Sequence, residues 1–270
     1  MSFKGIYSAL SGSLAQTLKI DTIANNIANV NTTGFKKDQQ TFGEYLTAIE
    51  KDPVILNSAI TSSSISPEFN ANGTDKSFVD STGTFTNFEQ GSLKHTGGKL
   101  DVAIDGEGFF EISTDTGDRL TRAGNFTVNG EGQLVTKEGH QVKFELPDDT
   151  GSQDIRFNQG SVPIITDAGE VFDGEKKIGK LSIVKVNNTD ALQKMGSNYY
   201  SFKSNLDPQK TSVQYASLKQ GYLETSNVNI VAEMTDMIMA QRVFEGTQKA
   251  IQAYDQMEDK LINQVGNTKG

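Results

Sequence analysis

Cysteine is absent from the 270 residues. Its absence excludes disulfide scaffolds, thiolate zinc sites, iron–sulfur clusters and thiol nucleophiles. Histidine is almost absent: His95 and His140 stand alone, far from each other and outside any metal-ligand spacing, and both are expected at the surface or at a strand edge. Clustered basic residues are missing too, and the formal net charge is −9. Both facts argue against nucleic-acid binding, which needs Lys and Arg gathered to meet phosphates. No apolar run approaches the ~18–20 residues of a membrane span, so none is expected. The opening Met1-Ser2-Phe3-Lys4-Gly5 has no basic region, apolar block or small-residue cleavage site. The chain is therefore expected to be cytoplasmic, or exported by a route that leaves its N-terminus intact. Charged residues make up 22%, and the length suffices for a core of one or two domains.

Proline is scarce and unevenly placed, at 53, 67, 147, 163 and 208 only. Since proline breaks helix interiors, the two ends can be long helices and the middle cannot. At the N-terminal end Ile6, Leu10, Leu14, Ile20, Ile23, Ala24, Ile27 and Val30 recur at steps of three and four, with Thr17 filling one gap. This is one stripe of a helix over about residues 2–30. Its remaining positions are neutral amides and hydroxyls, Asn25, Asn26 and Asn29 among them. Charge depletion with amides retained is what contact surfaces show. At the C-terminal end Ile230, Met234, Met237, Phe244, Ile251, Tyr254, Leu261 and Val265 recur at three, four or seven. They form a coiled-coil-like seam over about 228–265. Asn227 or Ser226 is expected to cap its start. Each stripe needs a partner, because isolated helices rarely hold in water. The economical arrangement is a helical hairpin joining the chain ends and completed by further copies.

The middle, about 80–222, reads as β: short runs rich in Val, Ile, Phe and Tyr separated by dense turn signals. Asn129-Gly130 suits a tight hairpin turn with positive φ. An antiparallel barrel or sandwich is expected, giving an α+β chain. The predicted boundaries are an N-terminal assembly helix at 1–40, an extended arm at 41–80, a β domain at 81–222 and a C-terminal assembly helix at 223–270.

Candidate chemistry is thin. Gly106-Glu107-Gly108 lacks the third glycine of a nucleotide loop and opens a strand. Asp101, Asp105 and Glu107 do not follow the EF-hand order. Glu107 and Glu111 could be imagined as paired glycosidase carboxylates. No nucleophile elbow is present. No catalytic residue, metal, cofactor or small-molecule substrate is expected.

Four blocks carry a family likeness. The run from Ala24 to Lys36, with Asn25, Asn26 and Asn29 followed by Thr33-Gly34-Phe35, resembles the N-terminal signature of bacterial flagellar rod and hook proteins. Leu100–Phe110, Leu120–Phe126 with Gly130–Leu134, and Gly221–Val228 resemble that family's later blocks, in the same order. Length leaves a choice between proximal and distal rod members, and Gly5–Ala9, Glu233–Ile238 and Phe244-Glu245 resemble the proximal ones more. The long 41–80 stretch keeps the distal alternative open.

The resemblance implies a structural rod subunit whose terminal helices line the inner tube of a helical assembly, with the β domain outside. It implies partnership with copies of itself, with other rod proteins and with the flagellar export apparatus, and a periplasmic location in the basal body. Asn25, Asn26 and Asn29 would bond between helices or to loops, and Gly34, next to Phe35, would end the helix in a left-handed cap. A secreted β domain that binds glycan or calcium at the Asp101–Glu107 turns is the alternative from another class, and a cell-wall hydrolase using Glu107 or Glu111 is a third.

Overall fold

The computed structural model describes residues 4–47, 76–145, 155–157, 163–203, 210–212 and 217–266. The described chain is α+β, with one long helix near each end and an antiparallel β region between them. The first helix, α1, runs Lys4–Ala28, and the second, α2, runs Ile230–Gly266. Both lie in the proline-free ends, close to the extents that periodicity predicts.

The cap of α2 is neither Asn227 nor Ser226. Asn229 is the cap: its Oδ1 accepts from the Val231 and Ala232 amides at 3.1 and 3.3 Å. Helix α1 gives way to tight turns, with Val30 N–H on Ile27 O and Thr32 N–H on Asn29 O. Gly34 does adopt left-handed φ, +68°, but it lies six residues beyond Ala28. It serves a close backbone approach instead of a helix cap.

The span expected as an arm opens and closes in two paired strands, β1 (Asp38–Thr47) and β2 (Lys76–Thr86). Residues 48–75 between them lie outside the described residues.

The described chain divides into two compact units. Of the described residues, one holds 4–22, 40–47, 76–84 and 235–266; the other holds 23–39 and those between 85 and 234. The second unit is built on a sheet of nine strands among the described residues. Its centre is the strand Phe109–Thr114, flanked by Gly117–Thr121 on one side and by Gln141–Val142 and Ile183–Val186 on the other, all antiparallel. A four-stranded sheet adds Phe144–Glu145, Lys176–Leu181, Glu170–Asp173 and Ile164–Ile165. Val102–Asp105 pairs with Ser217–Gln220, and Leu93–His95 with Tyr222–Glu224.

Side chains alternate across a strand, and here both faces are covered. Phe110 and Ile112 enter the larger core with Val102, Phe126, Leu134, Val142 and Leu181. Phe109 points the other way, into a smaller core with Leu120, Val184, Val186 and Tyr200. The rings of Phe88, Phe109 and Tyr200 meet edge-on there, 5.2–5.7 Å apart. Burying Phe109 stabilises the unit by about 1.5–3 kcal/mol.

The hairpin read at Asn129-Gly130 exists, between Thr127–Val128 and Leu134–Val135, but its loop is longer than expected. Asn129 Oδ1 gathers the Glu131 and Gln133 amides, and the left-handed position is Gly132, at φ +84°. A side chain at Gly132 would meet Phe157 O at 2.5 Å.

Candidate functional site: helix roots and outward helix faces

The residues following α1 and those preceding α2 converge on the second unit. Phe35 is 2% exposed and Lys36 is fully buried. Lys36 Nζ donates to Glu224 Oε1 at 2.5 Å and to Glu89 O at 2.6 Å. Arg122 Nη1 reaches the other oxygen, Glu224 Oε2, at 3.3 Å, and the Gly91 amide donates to Oε1 at 2.9 Å. One buried carboxylate thus serves two buried cations and a backbone N–H. Burial holds Lys36 below the ordinary lysine range despite Glu224 beside it, and lowers Arg122 in the same way. Gly34 N–H donates to Glu224 O at 2.9 Å.

A second cluster adjoins the first. The Asn26 side chain is buried, and its amide closes a two-way bond with Asp38: Nδ2 donates to Asp38 O at 2.8 Å, and Oδ1 accepts from Asp38 N at 3.0 Å. The same Nδ2 reaches Glu233 Oε2 at 3.2 Å, and Lys37 pairs with Glu233 Oε1 at 2.5 Å. Asn227 accepts from the Lys37 amide at 2.7 Å and donates to Asn87 O at 2.9 Å. Lys194 pairs with Asp38 at 2.9 Å and lies over the Phe35 ring at 3.8 Å.

The residues read from sequence as one interface separate by burial. Ile23, Asn26, Gly34 and Phe35 are buried inside the chain, while Ile6, Ile20, Ile27, Asn29, Val30 and Asn227 are partly covered. Asn25 is exposed, and Asn29 bonds back to Asn25 O at 2.9 Å within the helix. Leu10 and Leu14 are 55% and 62% exposed. Leu14 precedes Ile23 by nine residues, two and a half turns at 3.6 residues per turn, so the two lie on opposite faces. The single stripe read from sequence is therefore two faces.

The outward face of α1 also carries Tyr7 and Leu18, which periodicity reasoning missed. On α2, Met237, Phe244 and Ile251 are partly covered, Ala240 is buried, and Gln248 Nε2 donates to Ser13 Oγ at 3.1 Å. Ile230, Met234 and Tyr254 are exposed. The side chain of Leu261 lies outside the described residues. Val231, Ile238, Met239 and Val243 are 50–70% exposed and were not singled out from the sequence. The signal available was a helix apolar on more than one face, which marks burial by neighbours beyond one partner.

The turn carboxylates do not converge. Asp105 pairs with Lys219 at 2.7 Å, and Glu107, 76% exposed, pairs with Lys185 at 2.6 Å, which holds its carboxyl below the ordinary range. Glu111 is buried and accepts from Ser182 Oγ at 2.8 Å. Among the described residues no cluster of three or more His, Asp or Glu side chains could hold a metal ion. His95 sits exposed at a strand end against Tyr222, and His140 is half-buried against Tyr199.

Two long helices with apolar outer faces, rooted on a β unit, define a structural assembly protein. Three family profiles match the chain: flagella basal body rod protein over 6–36, the flagellar hook protein FlgE/F/G D1 domain over 103–171, and the flagellar basal body rod FlgEFG protein C-terminal region over 219–264. The flagellar basal-body rod protein FlgG of Bacillus subtilis is 37% identical, covering 96% of this chain and 98% of that protein. FlgF of Caulobacter vibrioides is 35% identical over 97% of both chains. FlgG of Agrobacterium fabrum is 37% identical over 92% of this chain and 94% of its own. The chain belongs to the flagellar basal-body rod protein family.

Proposed function

We propose that the chain is a non-enzymatic proximal rod subunit that polymerises through the outward faces of its terminal helices and transmits motor torque. The observation that carries this reading is the pair of uncovered apolar stripes, Tyr7, Leu10, Leu14 and Leu18 on α1 and Val231, Met234 and Ile238 on α2. Such faces on long helices call for neighbours, and the family supplies them: sister copies and other rod proteins. Close-packed helices transmit strain, as a drive shaft requires. The exposed members of the residues read from sequence (Leu10, Leu14, Asn25, Ile230, Met234 and Tyr254) belong to this interface; the buried ones hold the subunit together. Export through the flagellar apparatus, and residence in the periplasmic rod, follow from the same reading.

The distal placement is the second reading, favoured by the 37% identity to FlgG of Bacillus subtilis. Tomography of basal bodies carrying a tagged copy separates the two. Tag density at the inner-membrane end of the rod is expected; density only at the outer end would assign the distal position. A glycan- or calcium-binding module, or a hydrolase, predicts binding heat lost on Asp105→Ala or clearing of peptidoglycan in a gel. Neither is expected, since lysines already engage Asp105 and Glu107.

A further inference from the structure

We infer that Glu224 is a positioning residue, a buried catch that fixes the roots of both terminal helices to the β unit. The segment 26–37, bearing the N-terminal signature, then acts first as a docking element within its own chain. Three observations converge on this.

The carboxylate joins elements remote in sequence: it lies 188 residues from Lys36 and 102 from Arg122. Through Lys36 it holds the exit of α1, where the Gly34 amide also donates to the Glu224 backbone carbonyl. Being in the strand that leads into α2, it holds that entry as well. Its neighbours repeat the pattern, since Asn26 and Lys37 on the α1 side meet Glu233 and Asn227 on the α2 side.

The cluster is also unequal in a way that predicts which member matters most. Glu224 is the one carboxylate shared by Lys36 and Arg122, both at least nine-tenths buried. Removing its charge leaves two buried cations facing each other, the costly way to break a buried ion pair. Replacing Lys36 with an apolar chain leaves Glu224 still bound by Arg122 and by the Gly91 amide. The geometry therefore orders the effects, Glu224→Gln above Lys36→Met.

The third point is what the catch would control. Both helices continue directly from these roots, α1 ending at Ala28 and α2 starting at Ile230, so the turns next to the roots are held only as well as the roots are. A loosened root would leave the β core intact while those turns loosen with it.

Hydrogen exchange on the purified full chain tests this. The reporters are the amides of Gly34, Lys37, Asp38, Gly91 and Thr225, each of which has a defined partner across the cluster. In Glu224→Gln they are expected to lose at least about tenfold in protection, while amides of 109–121 stay within about twofold, the behaviour of a local opening. Lys36→Met is expected to show the same pattern with a smaller loss, and it carries the test if Glu224→Gln does not fold. Unchanged reporters in Lys36→Met, or losses that spread equally into 109–121, would overturn the inference.

Discussion

Gly34→Ala probes the contact between the signature segment and the β unit most sharply. Gly34 has φ +68°, and a Cβ there would lie 2.5 Å from Arg122 C and from Ala123 N, both backbone atoms that no rotamer change can move. The left-handed conformation alone costs an L-residue about 1–2 kcal/mol. Forcing backbones apart in a packed site adds about 1–3 kcal/mol. The sum is about 2–5 kcal/mol. Gly174→Ala is the control: its φ is +65°, it belongs to the same compact unit, and nothing lies within 4 Å of the added Cβ. Only the conformational part, about 1–2 kcal/mol, is expected there. Equilibrium urea unfolding followed by circular dichroism gives both midpoints at unchanged slope. If Gly34→Ala costs no more than Gly174→Ala, the close approach of the two backbones is not as described and the docking of 26–37 fails with it.

Other expectations follow from single sites. Tyr200 is fully buried, and its hydroxyl has no hydrogen-bond partner among the described residues. Burial, then Asp38 and Glu224, push its pKa upward. The unfolded phenol ionises near ~10, so the folded chain holds the proton to higher pH and stability falls as pH rises above that value. Tyr200→Phe is expected to be as stable as the parent at pH 7 and to lose less above pH ~10; parallel thermal melts across that range would contradict this. Phe110→Ala removes a fully buried ring packed 5.1 Å from Phe126 and is expected to cost about 3–5 kcal/mol in urea unfolding. Leu14→Asp and Ile238→Asp alter exposed positions, so melting should shift by the equivalent of no more than about 0.5 kcal/mol, while swimming in a strain lacking the parent gene should be lost.

Much of the fold was legible because its signals are local. The proline-free ends marked both helices, and β-branched and aromatic runs marked the strands around Phe109 and Ile183. What escaped is what depends on distant partners. Lys36, Arg122 and Glu224 meet from three separate blocks, and no spacing announces a buried ion cluster assembled that way. Periodicity also cannot tell which of two apolar faces points inward, so Leu14 and Ile23 were read as one stripe although they lie on opposite sides of α1. Asn227 looked like a cap because it stands near a helix start, yet its side chain ties residue 37 to residue 87 while Asn229 does the capping. The strand over 38–47 carries too many polar residues to declare itself; pairing with 76–86 supplies what its sequence does not.

The claim that the outward helix faces join copies can be read at one atom. The chain has no cysteine, so Leu14→Cys provides a unique thiol on the exposed face of α1. Maleimide labelling of this variant should be rapid in the purified monomer and at least about tenfold slower in isolated basal bodies, with labelling after denaturation as the total, since burial at a packed interface excludes reagent as it excludes water. Equal rates in monomer and basal body would mean that this face stays bare in the rod and would contradict the account.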